Sequence, residues 1–439
     1  MLKKIVLLQM LWSLSYAQIP AEIKTEADLR VQHGYNPSIV IGFYQDGQFD
    51  YYATGYQNRQ NKTAATVDSL YEIGSITKTF TALLLAEATT LDQLKLDDPI
   101  DSYWPDQMVL HDQNKRVITF KDLATHSSGL YRMPVNLHYV QQDLFADYDT
   151  QLLQEAFPNP TPNPVASQYL YSNLGFGLLG ESLARALKND YETLIEQRIL
   201  KPLNLANTFF HVPESQQIHL ATGYKGGQAT SHWSFKALAG AGALKSNIKD
   251  LLSYGIQTLN EQPESLNAAL KLVKQQHFSH KGVRIALGWH FSGPFIWHNG
   301  GTGGFSTMLM IDPNRRIVVA AMTNADPNNN VEDIASALMS NNLSFQKYQY
   351  PVSLNDEILN SRIGIYRHPK QGELRLELKD GALIVKKKMQ PSMKLSAVKE
   401  DTFTNSMHRI EVIFKEPDQL IYTKKGRNQT YTYQKTDSQ

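Results

Sequence analysis

Short runs rich in apolar and β-branched residues lie near both ends of the first 350 residues, and they predict paired β-strands. Residues 38–44 and 48–54 flank an Asp-Gly dipeptide, which best suits a tight hairpin turn. Residues 308–311 and 317–322 flank an Asp-Pro-Asn turn and form a second predicted hairpin. The two hairpins therefore bracket the main body of the chain.

Between the hairpins the apolar residues follow helical spacing, most clearly over residues 79–88 and 174–187. Strands at both ends with helices between them predict one α+β unit whose first and last strands share a sheet. We find no internal repeat and no low-complexity segment in the sequence.

The pattern changes after about residue 350, where the chain becomes a series of short alternating strands. This tail carries 16 Lys and Arg against 11 Asp and Glu, so it is basic. We predict a separate small barrel or sandwich, and we attribute the lysines to solvated strand edges rather than to an anionic polymer. Its expected strands are residues 373–379, 382–388, 410–415, 419–424 and 430–435.

Composition narrows the function classes. The 439 residues are 42% hydrophobic and 19% charged, which is typical of a folded globular protein. Lys and Arg number 43 and Asp and Glu 42, so no charge excess favours nucleic acid as a partner. The sequence contains no Cys, which excludes disulfides, thiolate metal sites and a Cys nucleophile.

The N-terminal residues predict export. Lys3 and Lys4 precede an apolar run over residues 5–14, and small residues at 15–17 suit a signal peptidase. The run is too short for a membrane-spanning helix, and no other stretch is long and apolar enough. We therefore expect a cleaved signal peptide at residues 1–17 and a periplasmic or secreted chain, with an uncleaved anchor as the alternative.

Ser75 and Lys78 are the first candidates for chemistry. They lie one helical turn apart at the start of an apolar helix, so the amine can approach the hydroxyl. A serine becomes nucleophilic when a base takes its proton, and a lysine with a lowered pKa can act as that base. Ser246 and Lys249 have the same spacing, but Ser246 is better interpreted as a helix N-cap.

Two further segments accompany this pair. Tyr171 and Asn173 directly precede a predicted helix, and by themselves they would be interpreted as a turn with an Asn cap. Residues 297–305 contain four glycines before a strand, which permits either a close backbone approach to a ligand or a simple bulge. No Lys-Ser or Lys-Thr closes this loop, so a phosphate cradle is discounted.

In this order the three segments resemble the S-x-x-K, Y-x-N and K/H-x-G motifs of the serine β-lactamase and penicillin-binding superfamily. The Tyr-x-Asn form resembles class C β-lactamases, D-Ala-D-Ala carboxypeptidases and related esterases. Residues 123–130 and 240–246 resemble further landmarks of that family. The match extends over roughly residues 39–324, and it implies an antiparallel sheet flanked by helices plus a helical subdomain, within a catalytic domain at 18–350.

The resemblance also implies roles for individual residues. Ser75 would be acylated, while Lys78 and Tyr171 would share the general-base work, with Tyr171 as a phenolate or a relay. Asn173 would hold the substrate amide and the lysine.

His298 and Gly300 match the third motif, and both are expected to contact substrate. The backbone N–H groups of Ser75 and Gly301 would form the oxyanion hole, an arrangement that stabilises a tetrahedral intermediate. The resemblance implies no metal and no cofactor.

The sequence also departs from the class C pattern. His298 stands where those enzymes have a Lys that binds the substrate carboxylate, and Asn299 replaces a hydroxyl residue. Thr77 and residues 164–166 differ as well. If a protonated His298 binds a carboxylate, affinity should weaken as the pH rises through its pKa.

Other residues and the tail complete the picture. His126 is expected to form local hydrogen bonds rather than to ligate a metal, and Arg132 either faces the cleft or is solvated. Residues 351–439 resemble the lipocalin-like β domain attached to many such serine hydrolases, on the basis of residues 363–366 and 401–403.

We therefore predict an exported serine hydrolase that cleaves amide bonds through an acyl-enzyme, with a β-lactam or a peptidoglycan-derived D-alanyl peptide as substrate. One alternative is an esterase or D-amino-acyl hydrolase with the same site. Another is a non-catalytic penicillin-binding sensor, which would acylate slowly without release.

Overall fold

The structure is a computed structural model that describes residues 18–137, 143–259, 264–343, 345, 348, 350–379, 381–388, 392–405, 410–415, 418–424 and 429–436. The chain forms two compact units, residues 1–346 and residues 347–439. The sequence predicts the boundary at residue 350. The predicted export signal at residues 1–17 lies outside the described residues.

A nine-stranded antiparallel sheet organises the first unit, in the order β3-β2-β1-β14-β13-β12-β11-β10-β9. Its first and last long strands, β1 and β14, pair over seven residues, so the predicted shared sheet is confirmed. The sheet strands are β1 (Ser38–Gln45), β2 (Gln48–Asn58), β3 (Thr63–Ala64), β9 (Phe278–His280), β10 (Val283–Ile285), β11 (His290–Ser292), β12 (Phe295–Gly301), β13 (Ser306–Asp312) and β14 (Ile317–Thr323).

Both predicted hairpins are confirmed. Gln45 pairs with Gln48 across the first turn, and both turn residues, Asp46 and Gly47, have positive φ, as the tight hairpin requires. Asp312 pairs with Ile317 across the second turn.

Helices cover both faces of the sheet. Alternate residues of β1, β13 and β14 belong to two separate apolar clusters, one shared with α1 and α10 and the other with α2 and α8. No helix among the described residues has the length and apolarity needed to cross a bilayer. The helices are α1 (Ala21–Gln32), α2 (Thr77–Thr90), α3 (Phe120–Ala124), α4 (Thr150–Glu155), α5 (Asn173–Ala186), α6 (Tyr191–Ile195), α7 (Ala239–Gly242), α8 (Ile248–Gln257), α9 (Glu264–Val273), α10 (Glu332–Ser340) and, in the second unit, α11 (Asp356–Ser361).

Short strands connect the helical part to the sheet. Three of them form a small sheet in the order β4-β8-β5, and β6 pairs with β7. Ser246 belongs to β8, and Asn247 caps α8 through the backbone N–H of Asp250, so the interpretation of Ser246 as the N-cap was wrong by one residue. The short strands are β4 (Tyr71–Glu72), β5 (Thr208–Phe209), β6 (Gly223–Lys225), β7 (Gln228–Thr230) and β8 (Lys245–Ser246).

The second unit contains a closed eight-stranded barrel in which the last strand pairs with the first. Side chains such as Leu374, Val385, Phe403 and Tyr433 form its buried core. Five strands lie where the sequence predicts them, and β15, β18 and β19 are additional. The strands are β15 (Gly364–His368), β16 (Gly372–Lys379), β17 (Ala382–Lys387), β18 (Met393–Ala397), β19 (Thr402–Asn405), β20 (Ile410–Lys415), β21 (Gln419–Lys424) and β22 (Gln429–Thr436).

Candidate active site

Ser75 lies in a single 3₁₀ turn, Gly74–Ile76, that leads directly into α2. Gly74 has a positive φ of 49°, and a Cβ on it would lie 2.8 Å from the backbone N of Gly301. A side chain here would therefore strain the backbone and push β12 away. The turn carries the Ser75 hydroxyl to the cavity that the site residues line.

Lys78 is buried one turn further along the helix. Its Nζ lies 3.0 Å from Ser75 Oγ, 2.8 Å from Asn173 Oδ1 and 2.6 Å from the carbonyl oxygen of Ala241. Burial lowers the pKa of Lys78 well below its ordinary value, and the positive charge of Arg132 lowers it further. The amine is thus placed and electrostatically prepared to take the serine proton.

Tyr171 approaches the same hydroxyl from the start of α5. Its ring centroid lies 5.0 Å from Lys78 Nζ, and Tyr171 and Ser75 line the same cavity. Burial raises the pKa of Tyr171 to about 12, although Ser75 and the charge of Arg132 both act to lower it. The phenol is therefore protonated at neutral pH, which suits a proton relay better than a phenolate.

The residue between Tyr171 and Asn173 determines how both are oriented. Ser172, not Asn173, is the N-cap of α5: its Oγ accepts from the N–H of Gly175 at 2.8 Å and donates to the carbonyl of Tyr131 at 2.6 Å. The interpretation of Asn173 as the cap was wrong. Because a serine performs the capping, the Asn173 carboxamide is left to contact Lys78.

Strand β12 passes so close to the serine turn that only glycine fits at its end. A Cβ on Gly300 would lie 1.9 Å from the carbonyl oxygen of Ile73 and 2.5 Å from Thr307 Oγ1. A Cβ on Gly301 would lie 2.7 Å from Pro327 Cγ. Both glycines line the cavity, so the end of this strand offers backbone rather than side chain to a ligand.

His298 differs from the other predicted site residues. It is fully buried and is not among the residues that line the cavity, whereas its neighbours Trp297 and Asn299 are. Nδ1 lies 2.6 Å from the carbonyl oxygen of Asn299, and Nε2 has no hydrogen-bond partner among the described residues.

Burial lowers the pKa of His298 well below its ordinary value, with further lowering by His290 and Lys78. The imidazole is therefore neutral at physiological pH. It carries no charge that could bind a carboxylate.

Two more histidines lie behind Tyr171. His126 Nδ1 accepts from the N–H of Ser172 at 3.0 Å, and because this partner lies 46 residues away in the chain, the expectation of a local hydrogen bond was wrong. His290 was missed, and its Nε2 lies 2.7 Å from the hydroxyl of Tyr169. In the sequence His290 follows Gly288 and Trp289 without any motif, so nothing indicated that it would lie in the site.

The site opens into a cavity of about 600 Å³. Aromatic side chains form one wall, with the rings of Phe145 and Phe235 stacked at 4.9 Å and Trp233 packed edge-on at 5.1 Å from Phe145. The sequence predicted that Arg132 either faces the cleft or is solvated; its side chain is exposed and lines the cavity. Within the described ranges, no cluster of His, Asp and Glu is arranged to hold a metal ion.

Comparison with known proteins gives related sequences and a related fold. The sequence model of the family described as Beta-lactamase matches residues 26–341. A β-lactamase of Pseudomonas fluorescens is 30% identical over 282 residues, which cover 63% of this chain and 75% of the relative. A β-lactamase of Escherichia coli (strain K12) is 28% identical over 258 residues, 58% of this chain and 65% of the relative.

Among solved structures, a β-lactamase/D-alanine carboxypeptidase from Pseudomonas syringae superposes with a TM-score of 0.64 at 23% identity, over 73% of this chain and 98% of that one. This likeness confirms the predicted fold. With the family match over most of the first unit, it leads to one conclusion: the chain belongs to the beta-lactamase family.

Proposed function

We propose that this protein is a serine hydrolase of the class C type that cleaves an amide bond through an acyl-enzyme. Family membership and fold support a hydrolase, and one observation carries the finer proposal. The Ser75 hydroxyl lies 3.0 Å from Lys78 Nζ, and the Tyr171 ring, almost a hundred residues away in the chain, has its centroid 5.0 Å from the same Nζ.

The chemistry follows from these contacts. Neutral Lys78 takes the Ser75 proton while Oγ attacks the substrate carbonyl, and the backbone N–H groups of Ser75 and Gly301 receive the developing negative charge. The Tyr171 hydroxyl donates its proton to the leaving nitrogen as the C–N bond breaks, and the proton held by Lys78 restores the phenol. Water then hydrolyses the ester on Ser75, with the same groups moving the proton in reverse.

The substrate classes that fit are a β-lactam and a D-alanyl peptide. The test is to incubate the protein with a fluorescent penicillin and to look for a covalent adduct by mass spectrometry. We expect an adduct with the wild-type protein and none with Ser75→Ala. If β-lactams and D-alanyl peptides gave neither adduct nor turnover with folded protein, the amide proposal would be rejected.

A second candidate is an esterase or D-amino-acyl hydrolase that uses the same residues. It is favoured by the neutral, buried His298, which removes the strand cation that class C enzymes use. Rates with short p-nitrophenyl esters and with a chromogenic cephalosporin distinguish the two candidates. Acylation without release would instead indicate a penicillin-binding sensor.

We also propose that the chain is exported after cleavage behind residue 17, that residues 18–350 form the catalytic domain and that residues 351–439 form a lipocalin-like barrel domain. The basic and apolar pattern of residues 3–14 supports export. N-terminal sequencing of protein from the native host should begin at Gln18, and an intact Met1 would contradict cleavage.

A further inference from the structure

Arg132 is the cavity residue whose charge the proposed chemistry leaves unused. Its side chain is exposed and lines the cavity, with Cζ 4.8 Å from the ring centroid of Tyr171. Within the part of the chain that the structure describes, its guanidinium has no carboxylate and no hydrogen-bond acceptor. A guanidinium stacked on an aromatic face keeps its N–H groups available for a planar anion.

The backbone of Arg132 is fixed beside the catalytic groups. Its carbonyl oxygen accepts from the N–H of Asn173 at 2.8 Å and from that of Leu174 at 3.3 Å. These bonds tie residue 132 to the first turn of α5, the same turn that orients Tyr171. The guanidinium therefore stands against the Tyr171 ring, in the same cavity as Ser75.

The other ionisable groups of the cavity wall do not provide a free cation. Glu332 accepts a hydrogen bond from the Asn299 carboxamide at 2.5 Å. Burial and the nearby Lys78 lower the pKa of His290 to about 4, so that ring is neutral at physiological pH. Among the described lining residues, Arg132 is thus the one side chain with a positive charge to offer a ligand.

We propose that Arg132 binds a carboxylate of the substrate and makes the enzyme selective for acyl compounds that carry one. This assigns anion binding to the segment after α3 instead of to strand β12, which contains His298. The pairing is bidentate, two guanidinium N–H groups donating to the two carboxylate oxygens. This inference rests on the proposed hydrolase function.

The test uses one substrate in two forms, a chromogenic β-lactam as its free acid and as its methyl ester. In Arg132→Gln we expect kcat/KM for the free acid to fall about 10- to 100-fold, mainly through KM, because a charge-assisted hydrogen bond is lost. On the level part of the pH profile, where a change in the Lys78 pKa no longer alters the rate, the methyl ester should change less than about twofold, because it has no anion to lose. Arg132→Lys should recover part of the loss, since the charge returns without the planar fork.

Arg284 provides the matched control. It stacks on Phe291 at 5.0 Å in the same way but lies outside the cavity lining, so Arg284→Gln should change neither form. An equal loss for acid and ester in Arg132→Gln would overturn the proposal, because it would show an effect on Tyr171 or Lys78 instead. No loss for the acid would also overturn it.

Binding to the Ser75→Ala protein separates this proposal from the catalytic one. Calorimetry should show that the free acid binds more tightly than its ester, and that Arg132→Gln removes the difference. If the wild-type protein hydrolyses neither form but this difference is present, the hydrolase proposal fails and the carboxylate site stands. If the two forms bind equally, the carboxylate site is rejected whatever the activity.

Discussion

At the scale of single residues, burial decides which groups carry protons. Lys78 is fully buried, so desolvation disfavours its charged form and lowers its pKa well below the ordinary value, and the charge of Arg132 lowers it further. Burial has the opposite effect on the pKa of Tyr171, which it raises to about 12, further above neutral pH. A base with a lowered pKa beside an acid that remains protonated is the combination that the proposed acylation of Ser75 requires.

These pKa directions predict the pH dependence of the reaction. Because the pKa of Lys78 is lowered, kcat/KM for a chromogenic β-lactam should rise through an acid limb far below pH 10.5 and then remain level toward pH 10. Lys78→Met should lose about 10²- to 10⁴-fold in rate, the usual contribution of a general base. An activity that rises only near pH 10 would contradict a neutral Lys78.

At the scale of elements, the N-terminal ends of two helices meet at the site: the 3₁₀ turn that leads into α2 and the first turn of α5, which Ser172 caps. Close packing of β12 against the serine turn allows only glycine at Gly300. The N-cap of α5 also affects the site, because Ser172 lies between Tyr171 and Asn173 and fixes the backbone of both. Stability and activity are therefore coupled through one hydroxyl.

Removing the Ser172 cap should lower both the stability and the activity of the protein. Ser172→Ala leaves the Gly175 N–H without its acceptor and should lower the free energy of unfolding by about 1 kcal/mol. It should also reduce kcat, because Tyr171 and Asn173 lose their fixed orientation.

The control is Asp190→Ala, which removes the cap of α6 from the N–H of Thr193 at 3.1 Å. We expect a similar stability loss, measured by urea denaturation, with kcat unchanged. Full activity in Ser172→Ala would show that the cap has no role in orienting the site.

At the scale of the whole molecule, the first unit holds three neutral imidazoles around Tyr171: His126 and His298 are buried, and His290 is half-buried in the cavity wall. Desolvation lowers the pKa of His126 and His298 well below the ordinary value and that of His290 to about 4. In the unfolded chain each would titrate near 6.5. Below that pH the unfolded state binds more protons than the folded state, so stability is lost as the pH falls.

The free energy of unfolding should therefore decrease as the pH falls, and its slope against pH can be measured. Between pH 6.5 and 5, each of these imidazoles should lower the free energy of unfolding by up to about 1.4 kcal/mol per pH unit. His290→Gln, whose amide can still meet the Tyr169 hydroxyl, should flatten the slope by about one such contribution. His211→Gln is the control, because that side chain is 82% exposed. Equal slopes for all three proteins would contradict a neutral His290.

Local signals allowed much of this to be predicted from the sequence. The Asp-Gly turn and the apolar runs beside it predict the first hairpin because they act between neighbours. The spacing of Ser75 and Lys78 predicts their contact because one helical turn separates them. Strands β15, β18 and β19 were not predicted, since short strands carry little periodic signal.

The sequence by itself determined the two hairpins, the sheet that they share, the family and the contact between Ser75 and Lys78. Only the tertiary structure decided that Ser172 caps α5, that His298 is buried and neutral, and that Arg132 faces the cavity. The physical reason is that capping can be satisfied by either of two neighbouring residues, and that charge state and exposure depend on what packs around a side chain from distant parts of the chain.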